Sequence, residues 1–78
     1  MIGMILKNMR LSAKISQLEL GKKLAMADTT ISSYERENSQ ADFETILKIC
    51  KICGYEILFK DINGNIMSVE NMAKEKDF

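Results

Sequence analysis

The residues able to do chemistry fall into two groups. The first is Cys50 and Cys53, a C-x-x-C spacing that suits redox chemistry or half of a metal site. The chain has no histidine and no further cysteine, so one copy cannot complete a tetrahedral zinc site from nitrogen and sulfur ligands. A thioredoxin-like site also wants a βαβ setting, which is absent. Both cysteines therefore read as small core residues on a helix. Paired carboxylates with a plausible pocket and a glycine-rich phosphate loop are missing too, so the expectation is no enzyme, no cofactor and no metal. The second group is the hydroxyl-rich run DTTISSYER, with Asp28, Thr29, Thr30, Ser32 and Ser33. Serine and threonine are poor interior helix formers. A short exposed helix built from them suggests a surface made to touch something.

Those side chains need elements to hold them. Ile2, Ile5, Leu6, Met9 and Ala13 recur with the helical period and predict a first helix over about residues 2–13, with Lys7, Asn8 and Ser12 outward. Ser16 followed by Glu19 is a capping box, and Ile15 with Leu20 forms a hydrophobic staple. They open a second helix over about 17–24, with Leu20 and Leu24 inward. Gly21 weakens that helix by about 1 kcal/mol relative to alanine, which asks for close approach of another helix as compensation. A third helix spans about 28–36 on Ile31 and Tyr34. After the polar loop 37–41, Asp42 caps a fourth helix over about 43–53. Its core face is Phe43, Ile46, Leu47 and Cys50, while Ile49, Ile52 and Cys53 widen the apolar arc to one side. Gly54 suits the position that ends it.

The period then changes. YEILFKD is rich in β-branched and aromatic residues, and Asn63-Gly64 is a hairpin signal. Strands are expected at about 55–61 and 65–69. A lone hairpin is marginal in water, so it must pack on helix four, pair with another chain, or do both. The tail, residues 70–78, reads as flexible or a short helix.

Seventy-eight residues make one domain that buries only about 60% of its unfolded surface, so stability should be marginal without a partner. The apolar runs are too short to span a bilayer and no signal segment is apparent, which points to the cytoplasm and away from membranes. Net charge is zero, against the basic excess usual for nucleic-acid binders. The distribution is uneven. Residues 1–54 hold eight Lys/Arg against six Asp/Glu, and residues 55–78 hold three against five. Attraction to phosphate must come from the first part.

In this order and spacing, residues 6–54 resemble the Cro/repressor-type (XRE) helix-turn-helix family of transcription regulators. The match is carried by Leu6 and Arg10, Ser16-Gln17, Leu20 and Leu24, Ile31-Ser32, Glu35-Arg36, and the closing run ILKICKICG. The resemblance implies a mainly α fold: a four-helix lambda-repressor-like DNA-binding domain over 1–54, followed by a C-terminal β-hairpin over 55–69. It implies that Gln17 contacts the DNA backbone at a helix N-terminus, a natural phosphate site. Asp28, Thr29, Ser32 and Ser33 would face the major groove, with Thr30, Arg36 and Asn38 flanking or touching phosphate. Arg10 and Glu35 resemble an ion pair that locks helix one to helix three.

Three departures bear on these roles. Ala25 stands where the turn usually has glycine, so either the turn is strained or its backbone differs. Gly21 stands where alanine is usual, and still permits close packing. Asp28 stands where long donors are common. It either accepts from a cytosine amino group or caps helix three, the favoured role because Ala27 cannot. With no basic residue on the first turns of helix three, base readout would rest on hydroxyls, methyl contacts and water. Weak binding per domain points to a homodimer on a palindromic operator. Ile49, Ile52, Tyr55, Ile57, Leu58 and Phe59 are the candidate dimer surface, and a hairpin in place of a fifth helix resembles the antitoxin branch. The expected function is a dimeric repressor on double-stranded DNA. The alternative is an antitoxin-like or other protein-interaction module, holding a toxin or another protein partner, with weak or lost DNA binding.

Overall fold

The computed structural model describes residues 1–74. Four helices make the body: α1 (Ile2–Ser12), α2 (Gln17–Leu24), α3 (Asp28–Glu35) and α4 (Phe43–Cys53). An antiparallel hairpin of β1 (Leu58–Lys60) and β2 (Ile66–Ser68) follows, then a short α5 (Val69–Met72). The mainly helical architecture with a C-terminal hairpin is the one expected from the sequence. Of the tail, residues 69–72 are helical and residues 75–78 lie outside the described residues.

α3 packs against α1 and α2, and α4 closes the other side against the same two helices. Leu6, Met9, Leu20, Ile31, Ile49, Cys50 and Cys53 form the core between them. Both cysteines are thus packing residues, and the Cys50 thiol points at the Met9 sulfur 3.8 Å away. Burial pushes both thiols above the ordinary cysteine range, which keeps them protonated and unreactive.

Two helix faces differ from expectation. Ile5 is 45% exposed, because α1 turns Gly3, Leu6, Met9 and Arg10 inward. On α4, Phe43 is 50% exposed, whereas Ile49 is 1% exposed and Cys53 is buried. In FETILKICKIC almost every position is apolar, so periodicity alone does not fix the phase of the inward face. Ile49 is consequently a core residue and cannot serve as a dimer contact.

All four body helices end in the same way. A left-handed residue, directly after α2 and α4 and one position further on after α1 and α3, lets two amides turn back onto the last turn, the Schellman arrangement. Only α4 uses a glycine, Gly54. The others use Lys14 (φ 59°), Ala25 (φ 56°) and Glu37 (φ 61°). After α2, the amides of Ala25 and Met26 donate to the carbonyls of Lys22 and Gly21. The turn therefore keeps its ordinary backbone and carries the strain, at roughly 1–2 kcal/mol for a side chain in that region. Gly21 is required by the same turn. A Cβ there would come within 2.6 Å of the Met26 carbonyl oxygen. The close neighbour is turn backbone rather than another helix.

The strands are shorter than expected. The ladder pairs Leu58 with Ser68, Phe59 with Met67 and Lys60 with Ile66. Extending it to residues 55–57 would require partners at 69–71. Ser68 instead caps α5, its hydroxyl accepting from the Asn71 amide at 3.3 Å. The tip is a three-residue loop, Ile62 to Gly64, and only Gly64 has positive φ. The Gly64 amide donates to the Asp61 carbonyl, and the Asp61 carboxylate gathers the Asn63 and Asn65 amides. Asn63-Gly64 thus marks a type I turn with a left-handed glycine, and not a two-residue turn.

Candidate nucleic-acid interface

The helix-turn-helix begins with a cap. The Ser16 hydroxyl accepts from the Glu19 amide at 3.0 Å, and the Glu19 carboxylate accepts from the Ser16 amide at 3.2 Å. That reciprocal pair fixes how the chain enters α2. The tight Ala25–Ala27 turn then swings α3 across it.

One cluster holds the unit to α1. Arg10 donates from Nε to Glu35 Oε2 at 2.6 Å and from Nη2 to Glu35 Oε1 at 3.1 Å. Its Nη1 donates to the Ile15 carbonyl at 3.0 Å. The two side chains are only 9% and 3% exposed. Gln17 adds a third donor, its Nε2 reaching Glu35 Oε1 at 3.1 Å. Among the described residues no buried side-chain nitrogen or oxygen lacks a partner. Burial alone would raise the Glu35 pKa. The hydrogen bonds from Arg10 and Gln17 outweigh it and hold the carboxyl below the usual glutamate range. The hydrogen bond to Glu35 likewise raises Arg10 above its ordinary value.

A second clasp sits beside the first. Glu37, just past α3, accepts from the Gly3 amide at 3.2 Å and pairs with the Met1 amino group. Those bonds hold its carboxyl below the ordinary range. A Cβ at Gly3 would collide with the Glu35 and Tyr34 carbonyls. Sequence reasoning missed this contact; a glycine in the first turn of α1 is the signal for such an approach.

With Ile31 buried and Glu35 turned inward, the opposite side of α3 faces solvent. Asp28 and Thr29 are exposed, as are Arg36 and Asn38 just beyond the helix. Thr30, Ser32 and Ser33 are half-buried. Ala27 is the N-cap and offers no side-chain bond; Asp28, the first helical residue, accepts from the Thr29 amide at 2.9 Å. Asp28 thus takes up one amide of the first turn, while the N-cap position itself has no side-chain bond. The Ser33 hydroxyl lies 2.8 Å from that of Ser39, which ties the end of α3 to the next loop. Asp28, Thr29, Arg36 and Asn38 are thus the fully exposed members of the expected set. Gln17 stands apart from them, since one amide hydrogen is committed to Glu35 and only the other remains free.

The expected dimer residues divide likewise. Ile52 and Ile57 are half-buried against the core, and Ile49 is inside it. Tyr55, Leu58 and Phe59 are exposed. Among the described residues no cluster of three His, Cys, Asp or Glu could hold a metal, and no helix is long and apolar enough to cross a membrane.

A family model described as helix-turn-helix matches residues 6–59, from the second turn of α1 into β1. No curated protein and no solved structure matches this chain.

Proposed function

The chain belongs to the Cro/C1-type helix-turn-helix (XRE) family of DNA-binding transcription regulators, and from that premise we propose that it is a dimeric repressor laying α3 into the major groove of a palindromic operator. The supporting observation is the outward side of α3, which is polar and is held from behind by Ile31 and the Arg10–Glu35–Gln17 cluster. Thr29, Ser32 and Ser33 are the base-reading groups. Their short hydroxyls work through direct bonds, methyl contacts and bridging water. Arg36 and Asn38 meet phosphate beyond the end of the helix, and Thr30 flanks them. The free Gln17 amide hydrogen and the first amides of α2 meet phosphate at the other end. Asp28 gives one carboxylate oxygen to the Thr29 amide and places one negative charge among phosphates, which limits affinity. Repression then needs no chemistry, only occupancy of the operator.

Selection of bound fragments from random duplex DNA tests this. Enrichment of sites with two-fold symmetry, half-sites about one helical turn apart, is the expected result. Failure to retain any duplex at low salt would contradict it. That outcome would favour the second reading, an antitoxin-like or other protein-interaction module. Asp28 and the lack of a basic residue within α3 are the features that favour it.

A further inference from the structure

An open groove of about 530 Å³ lies between α4 and the chain that follows it. Leu47, Tyr55, Ile57 and Val69 give it an apolar lining, with Lys48 and Lys51 along α4. Neither lysine is in an ion pair among the described residues. The hairpin beside it is equally uncovered. Leu58 and Ile66 project from one face, Phe59 and Met67 are paired on the other, and Ile62 at the tip is 102% exposed.

The hairpin does not fold back onto its own body. The molecule measures 44 × 23 × 22 Å, and its radius of gyration is 14.3 Å, against roughly 11–12 Å for a compact chain of this length. Nor can it fill the neighbouring groove. Tyr55 and Ile57, which line the groove, lead straight into Leu58 at the root of the hairpin. The arm would have to double back through its own base. A second copy has no such restriction, and two-fold symmetry makes the contact twice.

Charge agrees with shape. The groove presents both signs, Lys48 and Lys51 against Glu56 and Glu70. The arm carries Lys60 and Asp61 side by side next to its tip. We infer that the hairpin of each copy seats in the α4 groove of the other, so that dimerisation proceeds by exchange of arms. This rests on the dimer proposed above and specifies which surfaces meet.

The test uses the full chain carrying a photo-reactive phenylalanine analogue at position 62, mixed with a heavy-isotope copy and irradiated. Position 62 touches nothing in the monomer, so folding is unaffected. The expected result is cross-linking between light and heavy chains that maps to residues 47–57. Sedimentation of the unmodified chain separates the two ways to fail. A dimer whose cross-links avoid residues 47–57 overturns the arm exchange and leaves the dimer intact. A monomer at all accessible concentrations overturns both. As a second measurement, Ile62→Asp should raise the dimer dissociation constant at least tenfold with an unchanged melting curve for the monomer. An unchanged constant overturns the exchange.

Discussion

Glu35 receives three donated hydrogen bonds while almost sealed from water, so the cost of disturbing it depends on which partner is removed. Arg10→Met leaves the carboxylate buried with only Gln17, and should destabilise by about 3 kcal/mol or more in thermal or urea unfolding. A negligible change would mean that water reaches the site. The pH dependence has a definite sign. A carboxyl whose folded pKa is lowered stabilises the fold above its unfolded pKa, near about 4.3, and that contribution is lost as pH falls through the folded value. The stability gap between the wild-type chain and Glu35→Gln should therefore narrow below about pH 4.3. Glu37, Asp42 and Asp61 are also held low, but they are common to both proteins and cancel in the difference. At Ala25, glycine removes the left-handed strain and returns part of the gain as unfolded-state entropy, for a net stabilisation of about 0.5–1 kcal/mol. A lower melting temperature for Ala25→Gly would contradict the left-handed turn. The Arg10–Glu35 pair was legible in the sequence because the family spacing carries it. Gln17 joining it was not, since nothing in a linear pattern says whether an amide points to a neighbour or to solvent.

At the level of elements, α2 and α4 were legible from their caps, and α1 and α3, which lack a side-chain cap, from apolar spacing alone. Ser16 and Asp42 cap α2 and α4, and Gly54 ends α4. Faces and strand ends were less so. α4 is apolar nearly all round, and only its packing on α1 and α2 chooses Ile49 and Cys53 over Phe43 and Leu47 as inward residues. The strands end where Ser68 begins α5, a competition between two local structures that β-propensity does not register. The hairpin itself gains little from its own chain, because two strands with both faces open to water are marginal. A chain ending at Gly54 should therefore be monomeric or unfolded in sedimentation and circular dichroism. A stable dimer of residues 1–54 would place the interface elsewhere in the body.

For the whole molecule, zero net charge conceals a helical body of +2 joined to a segment of −2. Association with DNA should depend on the local arrangement of Gln17, Arg36 and Asn38 more than on long-range steering, with a shallow salt dependence for each copy. Asp28→Asn keeps an acceptor for the Thr29 amide and removes the repelled charge. It should tighten binding to all duplexes several-fold at low salt, with the effect fading as salt rises. The outward face of α3 was legible as hydroxyls at helical spacing, but its exposure depends on α1 and α2 holding the other side. The most direct measurement of its role compares the affinity for a selected duplex with that for a scrambled one, in the wild-type chain and in Thr29→Ala/Ser32→Ala. If α3 reads DNA, the wild-type chain prefers the selected duplex, and the variant loses that preference while keeping its melting temperature and its residual non-specific binding. An undiminished preference in the variant, or no preference in the wild-type chain, would contradict it.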